Sequence, residues 1–154
     1  MSRFLMIVLV VLALPGHVLA GPELKVTNGE RTLVLDRAEL EEALPQTVIE
    51  TTSPYYDGTV EFSGPSLKAV IEHLGIASES EITLAALNDY RVTGSLDQML
   101  AMDAIVATRR NGKVMSVRER GPFWVMLPLS QRTELDNEGY HRFMVWQLSR
   151  IELH

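Results

Sequence analysis

Five basic side chains, Arg109, Arg110, Lys113, Arg118 and Arg120, fall within twelve residues and are opposed only by Glu119. Guanidinium forks suit phosphate and carboxylate oxygens, so the chemistry this spacing offers is the capture of a small anion. The segment Ser63 to Ser66 precedes an apolar helical pattern, and backbone N–H groups at such a helix start would aim at the same anion. Tyr55, Tyr56 and Asp57 stand in a loop, where binding residues concentrate. With Trp124 and Trp146 they could wall a pocket for a flat ring, although Trp146 alternates with polar neighbours and reads as core. The candidate ligand-binding set is therefore Tyr55, Tyr56, Asp57, Ser63, Ser66, Arg109, Arg110, Arg118 and Arg120. The competing reading is a hairpin with a polar face, its basic residues blunting an edge strand against aggregation.

Other chemistries find little support. His73, His141 and His154 share no ligand-like spacing, and thiolates are absent because the chain has no cysteine. Met99, Met102, Met115, Met126 and Met144 lie in apolar segments, where thioethers fill gaps in a core. Gly64-Pro65-Ser66 lacks the second glycine of a nucleophile elbow, and Ser63, Ser66 and Ser95 stand where helix N-caps belong. Glu41 and Glu42 are adjacent on a helix and do not face each other. No phosphate-binding glycine loop occurs.

The elements that must position these residues are short. Leu24–Thr27 and Thr32–Leu35 flank Asn28-Gly29 as a tight hairpin. Asp36 caps a helix, with Glu39 at capping-box spacing, Leu40 and Leu44 facing inward and Pro45 as the stop. Thr47–Thr52 and Thr59–Phe62 read as strands around a loop from Ser53 to Gly58. Leu67, Val70, Ile71 and Leu74 mark one face of a helix that Gly75 ends. Strands follow at 81–87 and 90–93, then a short helix capped by Ser95. Ile105–Thr108 and Val114–Val117 form the arms of a hairpin turning at Asn111-Gly112. Phe123–Leu127 is an apolar segment, Ser130–His141 a polar loop and Phe143–Leu153 a closing strand. Many strands, few short helices and no βαβ alternation predict an α+β domain.

The ends and the charge narrow the partners. Arg3, an apolar run from Phe4 to Leu14, a break at Pro15-Gly16 and Val18-Leu19-Ala20 predict a signal peptide over residues 1–20, cleaved after Ala20. A single domain over 21–154 in the periplasm or outside the cell is then expected. Loss of Arg3 leaves 13 Lys and Arg against 20 Asp and Glu, a net of −7. So acidic a domain is a poor partner for nucleic acid, and no second apolar stretch reaches the roughly 20 residues of a membrane span.

The order of several short motifs carries a resemblance. Tyr56-Asp57-Gly58, Phe62-x-Gly64-x-x-Leu67 and Asn88-Asp89-Tyr90 are followed by the basic hairpin and Gly121-Pro122. The series closes on Val145-Trp146-Gln147-Leu148-x-x-Ile151-x-Leu153. This series resembles the oxidoreductase molybdopterin-binding domain of the sulfite-oxidase type, in a small stand-alone form. The resemblance implies a mixed, β-rich sulfite-oxidase-type fold with few short helices and a molybdopterin pocket. In that family a cysteine thiolate binds molybdenum shortly before the position of Phe62. Here Thr51 to Ser53 occupy that stretch, and a neutral hydroxyl is a poor substitute for a thiolate.

The expected function is a non-catalytic exported module that uses an inherited pocket for a small anionic or pterin-like ligand, or for a protein partner. Two alternatives stay open. One is a genuine molybdopterin-binding oxidoreductase, or a subunit of a redox complex, with unusual metal ligation. The other is an interaction protein whose hairpin edge pairs with a periplasmic or membrane-sensor protein.

Overall fold

The computed structural model describes residues 21–75 and 78–154, so the expected signal peptide lies outside the described residues. Three sheets share one apolar core. The largest has five strands in the order β2 (Thr32–Asp36), β1 (Glu23–Thr27), β11 (Leu148–Leu153), β5 (Glu81–Ala86) and β6 (Arg91–Ser95). Only β1 and β11 run parallel, with Val26 opposite Ile151. The second sheet has four strands, β3 (Gln46–Ser53), β4 (Tyr56–Pro65), β8 (Arg109–Arg110) and β9 (Lys113–Val114). A two-stranded ribbon of β7 (Ile105–Ala107) and β10 (Trp124–Met126) is fully buried and packs on β4 through β7.

The helices form for the reasons their sequences suggest. In α1 (Arg37–Ala43) the Asp36 carboxylate accepts from the Glu39 amide at 2.9 Å, and the Glu39 carboxylate accepts from the Asp36 amide at 2.9 Å. That reciprocal pair satisfies two amides the first turn leaves open. Helix α2 (Leu67–Leu74) is capped by Ser66 and closed by Gly75 at φ 95. Leu67, Val70, Ile71 and Leu74 are each 3% exposed or less, so this face contributes about 1.5–3 kcal/mol per side chain. It packs against β1 and β7. Helix α3 (Leu96–Leu100) lies on β5 and β6. No helix among the described residues is long and apolar enough to cross a membrane.

Several elements differ from the expectation. The segment at 53–58 is a tight connection, because β3 and β4 pair from Gln46↔Pro65 to Ser53↔Tyr56. Asn28-Gly29 sits in a four-residue connection, since Thr27 pairs with Thr32 and the Asn28 side chain accepts from the Glu30 and Arg31 amides. Asn111-Gly112 does form a two-residue turn, with φ 49 and 74 between the paired Arg110 and Lys113. Its arms are two residues each. Ile105–Ala107 pairs with Trp124–Met126 instead, because an uninterrupted apolar triplet belongs in the core. The chain changes sheets at Thr108, whose amide donates to the Ser63 carbonyl at 2.9 Å. The polar stretch 130–141 contains a 3₁₀ turn at Thr133–Leu135 and a helical turn, α4 (Glu138–His141). The closing strand starts only at Leu148, since Gln147 is left-handed at φ 48.

Candidate functional site

The aromatic side chains gather around one cation. Tyr55 stands in the β3–β4 connection, its amide donating to the Ser53 hydroxyl at 3.3 Å. Tyr56 opens β4, Trp124 opens β10 and Trp146 precedes β11. The Arg120 guanidinium carbon lies 5.4 Å from the Tyr55 ring centre, 5.2 Å from Tyr56, 5.6 Å from Trp124 and 5.4 Å from Trp146. The rings also touch one another, Tyr55 edge-on to Trp146 at 5.2 Å and Trp124 edge-on to Trp146 at 6.4 Å. Trp124 is fully buried and donates its indole N–H to the Met144 carbonyl at 3.1 Å.

Local backbone geometry places Arg120 there. Ser116 and Glu119 cap a 3₁₀ turn at Val117–Glu119, and Arg120 ends it in the left-handed region at φ 71. Its amide donates to the Val117 carbonyl at 3.2 Å and its carbonyl accepts from the Gln147 amide at 2.9 Å. No carboxylate pairs with its guanidinium among the described residues. Cation–π contact holds the group against the rings and leaves its in-plane N–H donors uncommitted.

The other expected basic residues do not converge on one anion. Arg109 is neutralised by Glu41, with Nε to Oε1 at 2.9 Å and Nη2 to Oε2 at 3.0 Å. Glu41 also accepts from Arg37 at 2.6 Å and from the Thr108 hydroxyl at 2.7 Å. Burial works against the Glu41 charge, but these bonds and the two guanidinium charges outweigh it and hold its pKa below the ordinary range. Arg110 donates to the Tyr56 hydroxyl oxygen and to Glu119. Arg118 is exposed and, among the described residues, without an ion pair. Asp57 is exposed.

Ser63 and Ser66 are occupied as structure. Ser63 lies within β4, its carbonyl accepting from the Thr108 amide, and Ser66 accepts from the Ala69 amide at 3.0 Å. The Leu67 amide donates to the Ala104 carbonyl at 2.8 Å. The start of α2 therefore spends its first donors inside the protein.

Tyr55 and Trp146 also form one wall of a slot of about 250 Å³, whose other walls the sequence did not single out. Tyr90 and Asn88 bound it from the β5–β6 turn, and His141 and Arg142 from the end of α4. Tyr90 donates its hydroxyl to the Arg142 carbonyl at 3.0 Å. Arg142 donates Nε to the Gly139 carbonyl at 3.1 Å and stacks 4.6 Å above the Phe143 ring. Its guanidinium has no ion pair among the described residues. His141 is held by Asp136 at 2.8 Å. The Tyr55 phenol has a raised pKa, chiefly from burial and then from Tyr90, with Arg120 opposing. Trp146, read as core, is half-buried on this wall. His141 and Arg142 were hidden because their meeting with Tyr55 depends on tertiary packing, and Asn88-Asp89-Tyr90 was the one local signal.

The stretch where the resembled family places its metal-binding cysteine is also occupied. Thr51 is buried, and its hydroxyl donates to the Thr52 carbonyl at 2.9 Å and accepts from the Ser130 amide at 3.3 Å. The Ser53 hydroxyl accepts from Tyr55. These neutral, engaged oxygens do not fit thiolate ligation of molybdenum, and no group of three acidic, histidine or cysteine side chains suited to a metal occurs among the described residues.

No family model and no curated protein matches this chain. Among solved structures it is similar to the sulfane dehydrogenase SoxCD from Paracoccus pantotrophus, with a TM-score of 0.65 and 15% sequence identity. The match covers 86% of this chain and 38% of that one, so this chain spans well under half the length of its neighbour. At that identity the likeness is one of fold. The chain has an α+β, sulfite-oxidase-like fold.

Proposed function

We propose that this chain is an exported, stand-alone, non-catalytic module that binds a small anionic or pterin-like ligand at the Tyr55–Trp146 end of a sulfite-oxidase-like domain. One observation carries the reading. Arg120 and Arg142, the arginines in contact with this aromatic wall or lining its slot, lack acidic partners among the described residues, whereas Arg109 and Arg110 have them. Positive charge without an acidic partner, half-buried at Arg120 and exposed at Arg142, beside flat aromatic walls suits an anion with a planar body. The hydroxyls at Thr51–Ser53 favour binding over metal chemistry.

Thermal unfolding of the purified protein with pterin-6-carboxylate, phosphate and acetate tests this. A ligand at a hundred times its Kd stabilises by about 2.7 kcal/mol, several degrees for a domain of this size. The double variant Arg120→Gln/Arg142→Gln should lose that shift and Arg118→Gln should keep it. Equal shifts in all three proteins would sink the reading.

A second reading, a molybdopterin-binding redox subunit with unusual ligation, is favoured by the fold likeness to a sulfane dehydrogenase. Elemental analysis of protein purified from a host that makes the cofactor separates the two. Near-stoichiometric molybdenum would replace the first reading with the second.

A further inference from the structure

The slot has a size, a charge and a geometry of its own. At about 250 Å³ it is smaller than the roughly 300–1,000 Å³ of pockets for drug-sized ligands, so it suits a single ring with a short substituent. Tyr55, Tyr90 and Trp146 supply aromatic surface, and Met144 and Val145 are buried beneath. No acidic side chain lines it, on a chain of net charge −6. Asp136 is engaged by His141, and Asp89, between the lining residues Asn88 and Tyr90, is exposed.

Arg142 is the anchor this slot offers. Its Nε is spent on the Gly139 carbonyl and its guanidinium carbon lies 4.6 Å from the Phe143 ring centre. These two contacts anchor the guanidinium and leave its two terminal nitrogens to donate, a pair of donors that a carboxylate accepts with two oxygens. The Arg142 carbonyl is tied to the Tyr90 hydroxyl, so the rim residue and the slot wall hold each other.

Resting on the reading of this end as a ligand site, we infer that the slot takes a one-ring aromatic carboxylate, its ring between Tyr55, Tyr90 and Trp146 and its carboxylate on Arg142. Arg120 contributes by holding Tyr55 and Trp146 in place and makes no direct bond to the ligand.

Isothermal titration with phenylacetate and the neutral phenylacetamide tests this. Tryptophan fluorescence is recorded in parallel, since Trp146 walls the slot and Trp124, the other tryptophan, is buried. Phenylacetate should bind at least ten-fold more tightly than the amide. Arg142→Gln should weaken phenylacetate about ten- to a hundred-fold and leave the amide unchanged. Trp146→Phe should weaken both ligands alike. If the two ligands bind equally, or the preference survives Arg142→Gln, the carboxylate assignment falls while the ligand-site reading stands. A preference lost in Arg120→Gln but kept in Arg142→Gln moves the anchor to Arg120 and overturns the inference. If neither compound gives heat or fluorescence change at millimolar concentration, the inference is overturned. The pterin-6-carboxylate shift then decides the broader reading by itself.

Discussion

The Gln147 amide donates to the Arg120 carbonyl at 2.9 Å, and both residues are left-handed, at φ 48 and 71. Two loops distant in sequence thus fix each other where neither belongs to a sheet. The Gln147 side chain adds a bond from Nε2 to the Val117 carbonyl at 2.8 Å. The guanidinium reaches four rings because this clasp aims it. Arg120→Gln should lower stability by about 1–2 kcal/mol, as loss of a partly desolvated cation–π contact implies. Urea unfolding monitored by near-ultraviolet circular dichroism checks this, and Arg120→Lys should recover only part of the loss.

The Glu41 cluster makes stability depend on acid. The folded state holds the Glu41 pKa below its ordinary value of 4.5. Its stabilisation is therefore complete above the unfolded-state pKa and is lost as pH falls through the folded pKa. Glu41→Gln should cost about 1–3 kcal/mol near neutral pH, because Arg109 and Arg37 lose their shared acceptor. The gap in unfolding free energy between parent and variant should narrow as pH is lowered from 7 through the carboxylate range.

Strand β4 crosses β7 at a point with no room for a side chain. A Cβ on Gly64 would stand 2.0 Å from the Val106 carbonyl oxygen. Backbone on both sides must move to admit it, so Gly64→Ala should cost about 3 kcal/mol or more. Thermal unfolding checks this, with Gly112→Ala as a contrast: its Cβ meets nothing within 4 Å, and only its positive φ resists.

Thr51 joins β3 to the segment that follows β10 through the Ser130 amide. Thr51→Val keeps the volume and removes the hydroxyl, so it should cost about 1–3 kcal/mol by leaving the part-buried Ser130 amide without this acceptor. Thr52→Val, on the exposed side of the same strand, should change stability by under about 0.5 kcal/mol. Chemical denaturation of the two variants makes the comparison.

Local rules made α1, α2 and α3 readable from sequence. Asp36, Ser66 and Ser95 cap as their spacing suggests, and Gly75 closes α2 with a positive φ. The α+β character also followed from many short strands and few helices. The arms of the basic hairpin did not follow. Ile105–Ala107 looks locally like a continuation of β8, and only the presence of Trp124–Met126 as an equally buried partner draws it away. The same limit governs the site. Tyr55 and Tyr56 read as loop aromatics, whereas Tyr55 stands in the β3–β4 connection and Tyr56 opens β4. Arg109 gave no sign that Glu41, far away in sequence, would neutralise it, and Arg142 fell between the polar loop ending at His141 and the strand expected from Phe143, assigned to neither.

Strand β11 lies between β1 and β5, so the five-stranded sheet has its centre filled by residues 148–153. Until that segment arrives, β2–β1 and β5–β6 are two separate hairpins, each with an open edge. The pairing of Val26 with Ile151 closes a loop of more than a hundred residues, a contact that is intrinsically slow to form. A nascent chain stalled before Leu148 would hold its N-terminal hairpin without a scaffold, and would stay open to proteases and chaperones until the final strand is inserted. The time window for any handling of the unfolded chain is thus set by the arrival of β11 between its two neighbours.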